Sequence, residues 1–130
     1  MSSFAEIVLC ICVEALRLPG ASNRMDLGIG HRADVNHGDA ARKVGLELRP
    51  TTLVIFGNPL LGTRIMKMNQ LAGLSLPIKM LVWQDARNRV WVSYTAPAAF
   101  ARRYELPADA PPIQAMGSAL GAIAAEAAGH

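Results

Sequence analysis

Leu48-Arg49-Pro50-Thr51-Thr52-Leu53-Val54-Ile55-Phe56-Gly57-Asn58-Pro59 is the stretch whose reading decides the fold. Residues 51–56 are β-branched or apolar throughout and end on an aromatic, the composition of a strand, and Pro50 starts it where no ladder donor is needed. Apolar residues at consecutive positions predict burial on both faces. Gly57 breaks the run. Asn58-Pro59 then signals a helix start. The asparagine side chain accepts from free N–H groups of the first turn, and proline at the first helical position gives up a donor that would be unpaired anyway. Leu61, Ile65 and Met68 recur at helical spacing with Met66 beside them, so a helix is expected to run to about Gly73 and leave through Leu74-Ser75-Leu76-Pro77.

Downstream, Ile78-Lys79-Met80-Leu81-Val82-Trp83 and Val90-Trp91-Val92-Ser93-Tyr94 flank a polar turn, Asp85-Ala86-Arg87-Asn88-Arg89. Antiparallel partners sum to a constant. Pairing Asp85 with Arg89 therefore sets Trp83 opposite Trp91, Val82 opposite Val92 and Met80 opposite Tyr94. Asn88 suits the left-handed position that closes such a loop. Pro97 opens a short helix to about Tyr104 with Phe100 turned inward, and Glu105 to Pro112 reads as a connector. Residues 113–128 form a helix with Ile113, Met116, Leu120 and Ile123 on one stripe. Its Gly117-Ser118-Ala119-Leu120-Gly121 matches the small-xxx-small pattern, read here as close helix packing. Upstream, Asp39 to Val44 is a short helix closed by Gly45. Residues 1–30 are atypical. Positions 5–18 allow either a short helix or a strand, and Leu18 to Asn23 is rich in turn formers.

The chain has 130 residues, is 52% hydrophobic and 18% charged, and so fits a single packed α+β domain. The net charge of +3 is scattered over separate basic pairs, and aromatics make up 5%. Nucleic-acid binding calls for a concentrated basic stripe with aromatics, so that class is disfavoured. Cys10 and Cys12 stand two apart and share a face if their run is a strand. They read as reduced, buried thiols. With only His31, His37 and His130 to join them, no metal site and no cofactor are expected. No run reaches the ~18 apolar residues of a membrane span, and the first sixteen residues lack the basic start of a signal peptide. The expected setting is the cytoplasm, with no membrane partner.

Three blocks carry a resemblance: residues 48–59, then Leu76-Pro77-Ile78-Lys79-Met80-Leu81-Val82-Trp83, then Val90-Trp91-Val92-Ser93-Tyr94 followed by Pro97. In order and spacing they resemble domain-of-unknown-function family 302 (DUF 302), over about residues 35–106. The resemblance implies a twisted antiparallel sheet packed against helices, β-α-β-rich and grouped with TBP-like folds. Gln84, Asn88, Thr95-Ala96 and Tyr104-Glu105 depart from the family's pattern, and Thr95-Ala96 removes the better helix cap. Residues 1–30 do not resemble the family's first strand and helix. An altered start there implies a missing edge strand and lower stability.

Gly57-Asn58-Pro59-Leu60-Leu61-Gly62-Thr63-Arg64 invites comparison with a phosphate loop. Thr63 and Arg64 stand where Lys and Ser or Thr belong, so a nucleoside-triphosphate site is not expected. Asn58, Thr63 and Arg64 remain candidates to hold a small anion at the helix start. His37, which the resemblance places where relatives also carry histidine after an Asp-like residue, can serve as base or ligand. Asp34, Asp39 and Arg49 are its nearest candidate partners in sequence. Arg49, before Pro50, can clamp an anion or pair with Glu47 or Asp85. No nucleophile elbow or Ser-His-Asp pattern is present. The expected function is a non-catalytic module, a homodimer binding a small anionic ligand or a partner. The alternative is an enzyme of undetermined class using His37 and Arg49, which must then converge within ~5 Å of one point with a carboxylate orienting the histidine.

Overall fold

A computed structural model describes residues 8–13 and 30–127 of the protein, with side chains from Ala33 onward. The elements are β1 (Val8–Val13), β2 (Gly30–Asn36), α1 (His37–Lys43), β3 (Thr51–Gly57), α2 (Pro59–Met68), a 3-10 segment (Gln70–Ser75), β4 (Ile78–Gln84), β5 (Val90–Thr95), α3 (Pro97–Arg103) and α4 (Pro111–Ala127). The strands form one antiparallel sheet in the order β1-β5-β4-β3-β2, an α+β arrangement. Consecutive strands β2 to β5 lie side by side, while β1 closes the far edge against β5. The expected loss of an edge strand is thus not seen: within the ambiguous 5–18 stretch, Val8–Val13 is a strand. Its Cys10 pairs in register with Ser93 and Cys12 with Trp91. The turn-rich stretch 18–23 and His130 lie outside the described residues.

One face of the sheet holds the core. Val54, Phe56, Ile78, Met80, Val92 and Tyr94 are buried there with Leu61 and Ile65 of α2, Phe100 of α3, and Ile113, Met116, Leu120 and Ile123 of α4. Strand β3 departs from the two-sided burial its composition suggests. Val54 and Phe56 are 2% and 1% exposed, but Leu53 and Ile55 on the other face are only half-buried. Helices α2, α3 and α4 serve one face, and hydrophobic content alone does not count the layers.

The hairpin adopts the register expected of it, with Trp83 opposite Trp91 and Val82 opposite Val92. The paired ladder ends at Leu81 and Ser93, one step short of Met80 and Tyr94. The indoles stack with centroids 6.3 Å apart. Asn88 has φ 64°, which closes the turn. Asp85 ties the turn together: Oδ1 accepts from the N–H groups of Arg87 (2.8 Å) and Arg89 (3.0 Å), and Oδ2 accepts from Trp91 Nε1 (2.9 Å). Arg89 Nε stands 3.4 Å from Oδ2, and its guanidinium lies 5.7 Å from the Trp91 ring centre. The Trp91 hydrogen bond above all, with the two amides and the Arg89 charge, lowers the Asp85 pKa from 3.8 to about 2. A depressed carboxylate pKa stabilises the fold fully above the unfolded value. That contribution is lost as pH falls from about 4 to about 2. Thermal unfolding of Asp85→Asn is expected to show less loss of stability across this window than the parent chain. Parallel curves would refute it.

Helix boundaries differ from the sequence reading in three places, each with a local cause. α1 begins at His37, two residues early, because Asn36 caps it by accepting from Asp39 N at 2.9 Å. Gly45 (φ +79°) follows its end as expected. α2 stops at Met68 instead of about Gly73. Asn69 turns extended (φ −153°), accepts from Leu71 N at 3.1 Å and donates to Tyr104 O at 2.8 Å, so its side chain ends one helix and caps the 3-10 segment. The Ser75 hydroxyl bonds the Tyr104 hydroxyl and secures the far end of that segment. α4 starts at Pro111, using prolines as first-turn residues and shortening the expected connector. As its sequence implies, α3 begins at Ala96-Pro97 with no side-chain cap.

Candidate functional site

The five residues singled out from sequence fall into two groups at opposite ends of β3. Its seven residues span roughly 20 Å, with Arg49 before the strand and Asn58 after it. They cannot share one site.

At the first end, His37 opens α1 and is exposed, with no hydrogen bond or ion pair among the described residues. Asp39, a candidate to orient it, pairs with Arg42 instead. The start of α1 does lie against the 48–49 backbone: a Cβ built on buried Gly38 would sit 3.8 Å from the carbonyl oxygens of both Leu48 and Arg49. Arg49 lines an exposed hollow with Arg42, Glu47 and Leu48, without His37. Asp85, a possible partner for Arg49, is held by Arg89, while the Arg49 carbonyl accepts from Thr51 Oγ1 at 2.8 Å. The start of α1 and the 48–49 backbone are thus neighbours in space, but among the described residues no cavity is lined by both His37 and Arg49.

At the other end, β3 passes through buried Gly57 into Asn58, whose Oδ1 accepts from Leu61 N at 3.1 Å and whose carbonyl accepts from Gly62 N at 2.9 Å. Pro59 contributes no donor. One of the first-turn donors expected to face an anion, the Leu61 N–H, is therefore satisfied by the Asn58 cap itself. Beside this turn lies a cavity of about 690 Å³, walled by Leu61, Ile65, Met66, Leu76 and Ile78 and edged by Asn58 and Thr63. Arg64 is exposed and not part of the wall. The Asn58 amide nitrogen and the Thr63 hydroxyl have no hydrogen-bond partner among the described residues. Room exists because two glycines face the space. A Cβ on Gly62 would meet only Leu76 and Met66, at 3.9 Å, whereas one on Gly73 would press to 3.1 Å from Met66 Sδ.

Sequence reasoning found the polar edge of this cavity and missed its walls. Met66 reads as core filler and Gly73 as a helix terminator. The return of the chain through Leu76-Pro77 is what turns them into a lining. Among the described residues no group of three or more His, Cys, Asp or Glu is placed to hold a metal.

The sequence pattern of the domain of unknown function DUF302 matches residues 21–125, reaching past 35–106 at both ends. The chain belongs to the DUF302 family. Its fold is similar to the crystal structure of an uncharacterized conserved DUF302 protein from Bacillus stearothermophilus, with a TM-score of 0.72 over 92% of this chain and 97% of that one. Sequence identity there is 18%, so the likeness is one of fold. The DUF302 chain is also 38% identical over 110 residues to a protein named fluoride-specific ion channel FluC 1 of Brucella suis biovar 1 (strain 1330). The same identity and length hold for FluC 1 of Brucella abortus biovar 1 (strain 9-941). The match takes in 84% of this chain but 43% and 41% of those proteins, so it spans less than half the length of these curated relatives. No helix among the described residues is long and apolar enough to cross a membrane.

Proposed function

We infer that this DUF302 chain is a non-catalytic module that binds a small amphipathic acid in the cavity beside Asn58. The reading rests on one observation: an apolar cavity of about 690 Å³ whose edge carries two polar groups without partners among the described residues. Ligand sites are commonly of this size, with apolar walls and a few orienting polar groups. The Asn58 amide N–H and the Thr63 O–H are donors suited to one carboxylate, with the exposed Arg64 guanidinium on the same helix turn. Leu61, Ile65, Met66 and Leu76 would take the apolar body.

In the Brucella relatives more than half of the polypeptide lies beyond the matched part. A channel needs membrane-spanning segments, and the described residues offer no spanning helix. The channel activity those names record is on this reading carried by the remainder, with the DUF302 part as an accessory module.

A thermal-shift screen of small carboxylic acids tests the site. An acid at a hundred times its Kd should raise stability by about 2.7 kcal/mol. Asn58→Asp keeps the cap, because aspartate also accepts from Leu61 N, but replaces the donor with a negative charge. The shift should then fall as for an affinity loss of at least ~10-fold, while unfolding without ligand is unchanged. Gly62→Phe, which fills the cavity, should abolish it. Equal shifts in all three proteins would sink the assignment.

A further inference from the structure

Between Pro59 and Ser75 the chain carries Arg64 and Lys67 and no acidic residue, and the acid-free run extends from Leu48 to Gln84. The outward stripe of α2 is not the polar face a surface helix normally shows. Leu60 lies on it, 63% exposed, beside exposed Arg64 and Lys67, and Met68, 42% exposed, stands at its border with the face that buries Leu61 and Ile65. The 3-10 segment that follows repeats the pattern. Leu71 and Leu74 are three residues apart, eclipsed on one side of a 3-10 turn, and are 65% and 79% exposed, whereas Ala72 is buried.

We propose that this surface, formed by the outer face of α2 and the leucines of the 3-10 segment, docks on an anionic lipid bilayer. Two cations amid four exposed apolar side chains, with no carboxylate in the run, form the pairing that lies in a lipid headgroup region. The other exposed apolar group, Val44, Leu46 and Leu48, is interleaved with Arg42, Lys43, Glu47 and Arg49 and so has no single sign of charge. A second copy of the chain is the weaker occupant, because a two-fold contact sets this patch against itself and brings like charges together. Span length, which led to the expectation of no membrane partner, bears on crossing a bilayer and not on resting against one.

Co-sedimentation of the whole chain with phosphatidylcholine vesicles, with and without phosphatidylglycerol, tests the proposal. The variants use Lys67, Leu71 and Leu74, which do not line the cavity beside Asn58, so failure here leaves the ligand assignment standing. Binding should be at least ~10-fold tighter to the mixed vesicles and weaken with salt. Lys67→Gln should lower it about fivefold. Leu71→Ser with Leu74→Ser should lower it by at least about tenfold, with unchanged circular dichroism. Equal binding to both vesicle types, no binding, or binding indifferent to these variants would overturn the proposal. So would light scattering that shows a dimer dispersed by the leucine changes.

Discussion

Replacing Phe56 by alanine is expected to cost the fold about 3–5 kcal/mol. The ring is 1% exposed near the end of β3, with Ile78 of β4 as its cross-strand neighbour, and it belongs to the core that α2 and α4 complete. Removing it costs the transfer energy of the ring and leaves a void that the packed elements around it close only in part. For a domain whose whole stability is about 5–15 kcal/mol, that is a large fraction. Ile55, the next residue back, faces the other side of the sheet and is only half-buried, so Ile55→Ala should cost distinctly less. Urea titrations of the two variants measure the contrast. Losses of equal size would show that both faces of β3 are covered, against the one-sided core described above.

The second large effect is expected where α4 meets α3. A Cβ built on Gly117 would sit 3.1 Å from Pro97 Cγ, and a proline ring cannot swing aside as a long side chain can. Gly117→Leu must therefore push α4 off the start of α3, at a cost of about 1–3 kcal/mol. Gly121, four residues on, is exposed and has nothing within 4 Å of its built Cβ. There Gly121→Ala should raise stability by up to about 1 kcal/mol, since alanine is the better helix former. Thermal unfolding of the pair gives opposite signs if the contact is as described. Equal behaviour would refute it. The small-xxx-small pattern thus has one glycine at a helix contact and one at open space.

What was legible in the sequence was local. The β4–β5 hairpin follows from a turn of five residues, an Asp–Arg pair, an asparagine that tolerates positive φ and two tryptophans at matching positions. The Asn58-Pro59 helix start follows from the chemistry of the first turn. Three features were not legible, because each depends on residues far apart in the chain. The end of α2 is decided by Asn69, whose amide reaches Tyr104, 35 residues away. The half-exposure of Leu53 and Ile55 depends on which side of the sheet the helices choose. The candidate site suffered most, since residues were gathered by sequence proximity around β3. A strand of seven residues holds its two ends far apart, so Arg49 and His37 are separated from Asn58, Thr63 and Arg64. Proximity along a helix and along a strand mean different distances, 1.5 Å per residue against about 3.3 Å.

The strand order has a consequence for synthesis. β3, β4 and β5 each meet the strand before them as the chain lengthens, but β1 bonds to β5, whose residues emerge about eighty positions later. A growing polypeptide must therefore hold β1 unpartnered until β5 has left the ribosome. Its closing step joins the most distant segments, the kind of event that sets the pace of folding and exposes a nascent chain to wrong partners.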